Sequence, residues 1–310
     1  GGEVRRTYTG AGSYTFPIGD KTGITQYSPV SVAVNGDAFA SAYVAVSVTD
    51  AVHPNNASAT NNISRYWSVR PSGITNPVAT VIGTYPNADV IGTESNIAAA
   101  QLNGIFDQQS NPWVRYSTLS GNTLTATAAL LTNGQASYFT GIKGDAFATM
   151  ISGFGSFCQN DVVTLVANQT GGDAPYVYTW SPGLGNAVTA TPPTATVGTQ
   201  NYTLTVKDSN GISATDSAAV TVLAPSVGGT ISASQSVCSG TAPEDVQLTG
   251  FTGQITRWQR ANDAGFTTPV NIGNTTDILM GSEIGPITVT TYVRAVVQNG
   301  TCSETYSSVV

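Results

Sequence analysis

The chain has 310 residues, 40% of them apolar and only 9% charged, with a formal net charge of -7 and three lysines, Lys21, Lys143 and Lys207. Phosphate recognition needs clustered Lys and Arg, so this composition excludes a nucleic-acid partner. No apolar run approaches the roughly 18 residues of a membrane-crossing helix, and no membrane span is expected.

Short alternating runs broken by Gly, Asn, Pro and Asp continue along almost the whole chain and predict an all-β protein. The pattern divides into tandem antiparallel β-sandwiches: a larger N-terminal sandwich domain over residues 1–143, followed by two smaller modules over 157–223 and 226–310. In the first domain, candidate strands lie at 4–8, 13–18, 29–34, 40–48, 63–69, 78–85, 113–118, 123–131 and 136–140. So many strands without helices imply two packed sheets. Arg5-Arg6 is read as a solvated strand face. Gly121-Asn122 and Asn133-Gly134 are read as hairpin turns, because these residues accept the positive φ such turns require. Asn96-Ile-Ala-Ala-Ala-Gln-Leu102 is the one candidate helical turn.

Residues 141–157 are glycine-rich and read as the first junction, and Ala224-Pro225-Ser226 as a short, stiffened second boundary. Linkers this short predict an elongated particle with restricted bending. The chain starts at Gly1 and stops at Ser-Ser-Val-Val310 inside a predicted strand. We expect a segment of a longer exported polypeptide.

The second and third modules repeat one pattern. Cys158, Trp180 and Tyr202 in the former answer Cys238, Trp258 and Tyr292 in the latter. An inward Trp between a Cys strand and a Tyr strand fills the centre of a small sandwich, so Trp180, Tyr202, Trp258 and Tyr292 are predicted core, as is Trp67 in the first domain. The Trp residues follow their Cys by 22 and 20 positions, which is not the antibody spacing. Cys238 and Cys302 stand near the two ends of the last module and are the expected disulfide, closing a loop of about 65 residues worth roughly 4 kcal/mol in the chain-entropy model. Cys158 is left over. It could be a small buried hydrophobe, the favoured reading, or an intermolecular link, or the partner of a Cys outside this segment.

No catalytic, cofactor or metal site is expected. His53, the sole histidine, stands in the turn sequence Val52-His-Pro-Asn-Asn56 with no nucleophile motif beside it, and is read as a surface or turn residue. Asp89, Glu94 and Asp107 are the carboxylates available for glycoside hydrolysis, but sequence gives no reason for them to converge. Asp208-Ser-Asn-Gly211 and Asp20-Lys-Thr-Gly23 have the composition of calcium loops yet lack the full ligand set, and are read as turns. Aromatic faces stack on sugars, which makes Trp113 and Tyr116 candidate glycan contacts; Trp113 follows Pro112 and is the expected exposed ring.

Cys158-Gln-Asn-Asp-Val-Val-Thr-Leu165, Pro175-Tyr-Val-Tyr-Thr-Trp-Ser-Pro182 and Tyr202-Thr-Leu-Thr-Val-Lys-Asp-Ser-Asn-Gly211 resemble the PKD-like and Ig-like repeats of Bacteroidota surface proteins. Gly228-Gly-Thr-Ile231, Val237-Cys-Ser-Gly-Thr-Ala-Pro243, Arg257-Trp-Gln259 and Tyr292-Val-Arg-Ala-Val-Val-Gln-Asn-Gly-Thr-Cys302 are similar to a sister repeat. Tyr14-Thr-Phe-Pro-Ile-Gly-Asp20, Tyr27-Ser-Pro29, Ser64-Arg-Tyr-Trp67 and Ala88-Asp-Val90 resemble a segment of the same class. Such repeats occur in giant cell-surface adhesins, including gliding-motility adhesins exported by type IX secretion. The resemblance implies an extracellular, non-enzymatic adhesin or filament segment. Its partners would be neighbouring repeats of the same chain, copies of itself in a fibre, or surface glycans. It also implies O-glycosylation at Ser217, within Asp216-Ser-Ala218. The alternative reading is a carbohydrate-binding module or the accessory region of a secreted hydrolase.

Overall fold

A computed structural model describes residues 2–310. It is built almost wholly of β-strands arranged in tandem antiparallel sandwiches.

The first sandwich packs a six-stranded sheet, in the order Val4–Tyr8, Ala38–Thr49, Tyr66–Thr75, Ser137–Lys143, Ile97–Asn103, Val114–Thr118, on a four-stranded sheet, Thr123–Leu130, Val78–Thr84, Val30–Asn35, Gly12–Phe16. Alternate residues from both sheets, among them Phe16, Val32, Trp67, Val81, Leu124 and Phe139, meet in one core. Trp67 lies at its centre, and its indole N–H donates to the Ser28 carbonyl at 3.1 Å. Gly83 faces this ring: a Cβ there would stand 3.0 Å from three ring carbons, so any larger residue would push against the indole. Gly121 and Asn122 both have φ of 59°, as the hairpin reading required.

The candidate helical turn at 96–102 is instead the strand Ile97–Asn103, paired on one side with Ser137–Lys143 and on the other with Val114–Thr118. Three alanines give too little helix propensity to outweigh two ladders. Residues 97–102 are buried in succession, because the outer face of the sheet is covered as well.

The second sandwich pairs a sheet of Ala148–Ser152, Leu165–Thr170 and Thr189–Ala190 with one of Gly155–Cys158, Ser213–Leu223, Gly198–Lys207 and Val177–Ser181. The glycine-rich stretch at 141–157 is therefore not a free junction, since Ala148–Ser152 and Gly155–Cys158 are ordered strands of this unit. Gly153, with φ of 84°, turns the chain from one sheet to the other. The Gly155–Cys158 strand runs parallel to the end of Ser213–Leu223, with Cys158 opposite Leu223.

The third sandwich repeats this plan with Thr230–Ile231, Val246–Thr249 and Ile278–Leu279 facing Val270–Ile272, Gln254–Ala261, Tyr292–Gln298 and Thr305–Tyr306. Trp180 and Trp258 occupy matching places, opposite Leu204 and Ala295 respectively, and both are buried. Tyr202 is buried with them, whereas Tyr292 is only half-buried at the start of its strand. The accessible surface of 14805 Å² exceeds the roughly 12,000 Å² of a compact monomer of this mass, as expected of units joined end to end.

Candidate functional site: the two intermodule joints

The polar and covalent chemistry that links distant parts of the chain gathers where one sandwich meets the next. Asp208-Ser-Asn-Gly211 is the turn between the late strands Gly198–Lys207 and Ser213–Leu223, and it lies buried against the first sandwich. Asn210 accepts from the Ala57 amide at 2.9 Å, and its own amide group donates to Ser58 Oγ and to Asp173 Oδ2, each at 3.0 Å. The Asn210 carbonyl accepts from the Trp113 amide at 3.1 Å. Asp208 holds the turn by accepting from the amides of Asn210 and Ile212. Burial raises its carboxyl above the ordinary value, against the opposing pull of these amides. Gly211 has φ of 79°, and a Cβ there would collide with Pro112. The sequence reading of this segment as a hairpin turn is correct in geometry, but the turn serves as a docking surface.

On the first sandwich, Trp113 is the base of the joint. Its ring is 2% exposed, packs with Ala100, Leu102 and Ile142, and is covered in part by Ile212 from the second unit. The indole N–H donates to the Asn55 carbonyl at 2.8 Å. The expectation of an exposed sugar platform at Trp113 is thus overturned, because the neighbouring sandwich buries it. Tyr116 is half-buried, with its hydroxyl donating to Gln101 Oε1 at 2.6 Å, and offers no open face with Trp113. His53 is likewise buried, not on the surface. Its ring packs against Tyr66, Trp113 and Tyr138 at 4.8 to 5.1 Å between centroids, and Nδ1 accepts from the Asn55 amide. Burial lowers its pKa from 6.5 to about 4.

The second joint uses the corresponding turn of the third sandwich. Asn299 donates through its side chain to the Ala224 carbonyl at 2.8 Å and through its amide to Ser226 Oγ at 2.9 Å. A Cβ on Gly300, at φ of 54°, would collide with Leu223. Thr301 donates to the Ser156 carbonyl at 3.2 Å. Cys302, next in the turn, is bonded to Cys158, 144 residues earlier. The expected Cys238–Cys302 bond does not form, since those residues lie at opposite ends of one sandwich; Cys238 is exposed and free. Cys158 is neither a buried hydrophobe nor left over.

The remaining candidates stay apart. Asp89 pairs with the fully buried Arg65, which also contacts Asp20, Asp50 and Gln26. Glu94 accepts from the Tyr85 hydroxyl and the Asn122 amide, both at 2.7 Å, while Asp107 caps the amides of its own turn at Gln109 and Ser110. These carboxylates do not form a shared site. Ser217 is exposed in mid-strand, within 2.9 Å of Thr203 Oγ1. Among the described residues no group of three or more His, Cys, Asp and Glu is placed to hold a metal ion, and no helix is long and apolar enough to cross a membrane.

The fold and its joints define a tandem β-sandwich protein whose units are docked through matching Asn-Gly turns. Residues 227–310, the third sandwich, match a family described as Domain of unknown function (DUF8696). The chain is similar to a solved structure of a tetra-tandem repeat in the extending region of a large adhesion protein, at 15% identity and a TM-score of 0.30, over 91% of this chain and 80% of that one. No curated protein matches it.

Proposed function

We propose that the chain is a stiff, load-bearing spacer within a secreted cell-surface adhesin or filament, providing reach and not chemistry. One observation carries this reading: the Cys158–Cys302 bond crosses a joint already held by Asn299 and Gly300, so the second and third sandwiches are fastened covalently where a flexible linker would otherwise bend. The first joint is fastened by a buried polar network around Asn210. A disulfide persists in oxidising compartments, which supports an extracellular placement. The resemblance of the modules to Bacteroidota surface repeats supports export by the type IX route and a role in attachment or gliding.

Small-angle scattering tests the reading. The oxidised chain should give the pair-distance distribution of a rod, unchanged between low and high salt because the joints are buried. A broad distribution typical of freely jointed units would overturn it.

A further inference from the structure

Five Asn-Gly pairs occur in the chain, at Asn35, Asn103, Asn133, Asn210 and Asn299. Such pairs are the most open to succinimide formation, because glycine leaves the following backbone nitrogen unshielded. Asn35 shows the reactive arrangement: it is exposed, and the Gly36 amide lies 2.9 Å from its side-chain oxygen. Asn210 shows the opposite. It is 1% exposed, and both ends of its side-chain amide are tied, Oδ1 by the Ala57 amide and Nδ2 to Ser58 Oγ and Asp173 Oδ2. The nitrogen that would attack it, that of Gly211, is engaged with the Asp208 carbonyl at 2.9 Å. Ala57 and Ser58 belong to the first sandwich, so their ties last only while the joint is closed. The disulfide crosses the second joint and leaves the first without a covalent fastening.

We propose that Asn210 is a deamidation site guarded by the first joint, inert while the joint is closed, converted once it opens, and thereafter a barrier to reclosure. After deprotonation by hydroxide, the Gly211 nitrogen attacks Asn210 Cγ. The bond from Cγ to Nδ2 breaks, and Nδ2 leaves as ammonia with a proton taken from water. Water then adds to either carbonyl of the cyclic imide and opens it to aspartate or isoaspartate. Either product replaces two donated hydrogen bonds with a carboxylate. That carboxylate would meet Asp173, whose Oδ2 now lies 3.0 Å from Asn210 Nδ2, with Asp208 in the same turn. Lys143, the cation 3.9 Å from Asp173, is shared with Asp145. Burying two like charges together costs far more than leaving them in water, so the converted turn stays undocked. Isoaspartate also lengthens the main chain beside Gly211, where Pro112 leaves no room even for a Cβ. This guard depends on the docked joint and is independent of whether the chain spans distance in an adhesin.

The full oxidised chain is incubated in mildly alkaline buffer, with and without urea, and each Asn-Gly pair is followed by peptide mapping. Without urea Asn35 should convert, and Asn210 should convert at least about tenfold more slowly; in urea the two rates should converge. Equal rates without urea would overturn the guard, and this arm needs no variant to fold. The product is tested with Asn210→Asp, in which limited proteolysis near residues 144–147 should rise about tenfold or more over the unsubstituted chain. Adding Asp173→Asn removes the facing charge and should restore most of the resistance. Cleavage of Asn210→Asp at the unsubstituted rate, or no rescue by Asp173→Asn, would overturn the barrier to reclosure.

Discussion

Asn210 and Asn299 occupy the same turn in successive sandwiches, and each reaches back toward the joint before it: Asn210 bonds Ala57 and Ser58 of the first sandwich, Asn299 bonds Ala224 and Ser226 of the linker. Each is followed by a glycine whose missing Cβ lets the turn touch its neighbour, Pro112 in one case and Leu223 in the other. The two joints therefore repeat one kind of contact.

The disulfide changes how the chain carries load. Pulled from its ends, the oxidised protein transmits force from Cys158 directly to Cys302, and the 144-residue span between them cannot extend. At about 3.5 Å per extended residue, reduction should release roughly 500 Å of additional contour length. Single-molecule pulling with and without reductant measures it, and equal contour lengths would show that the bond is absent.

Gly300→Ala and Gly211→Ala place a side chain at positive φ against a neighbouring unit. Each should cost about 1 to 3 kcal/mol at its own joint. Limited proteolysis should then cut near residues 144–147 for Gly211→Ala. For Gly300→Ala, cleavage near residues 224–227 should rise only after reduction, since Cys158–Cys302 otherwise retains the contact.

The buried His53 makes the first joint acid-sensitive. Its pKa is held near 4 in the folded chain against an ordinary 6.5, so between these values the unfolded chain binds a proton that the folded chain refuses. Stability is full above about pH 6.5 and falls as the pH drops toward 4, by on the order of 3 kcal/mol. His53→Phe should flatten urea midpoints of the first sandwich across that window; an unchanged slope would locate the acid response elsewhere.

Arg65 is fully buried among Asp20, Asp50 and Asp89. Arg65→Met leaves these carboxylates without their cation, and should destabilise the first sandwich by about 3 to 5 kcal/mol. Calorimetry should show its transition moving down while that of the disulfide-linked pair stays in place.

Trp258→Ala empties the centre of the third sandwich and should cost about 3 to 5 kcal/mol. Near-ultraviolet dichroism should lose the signal of that unit first, with Cys302 still bonded to Cys158.

Strand alternation and the repeated Trp were enough to read the all-β class, the tandem sandwiches and the inward Trp67, Trp180 and Trp258, because a sandwich core imposes its period locally on each strand. The expected core place of Tyr292 goes instead to Val293, one residue on, which points to the buried face. The same local reading failed wherever a second unit intervenes. Trp113 looks exposed after Pro112 until Ile212 covers it, and Asp208-Ser-Asn-Gly211 looks like a solvated hairpin until Ala57 and Ser58 bond it. Asn-Gly occurs at both 210–211 and 299–300, but spacing alone cannot say what a turn touches. Cysteine pairing was decided by tertiary structure for the same reason: Cys302 lies within one module's span of Cys238, yet the module ends that meet in space bring it to Cys158. Sequence sets which face of a strand is buried; only the docking of whole sandwiches determines which of their ends come into contact.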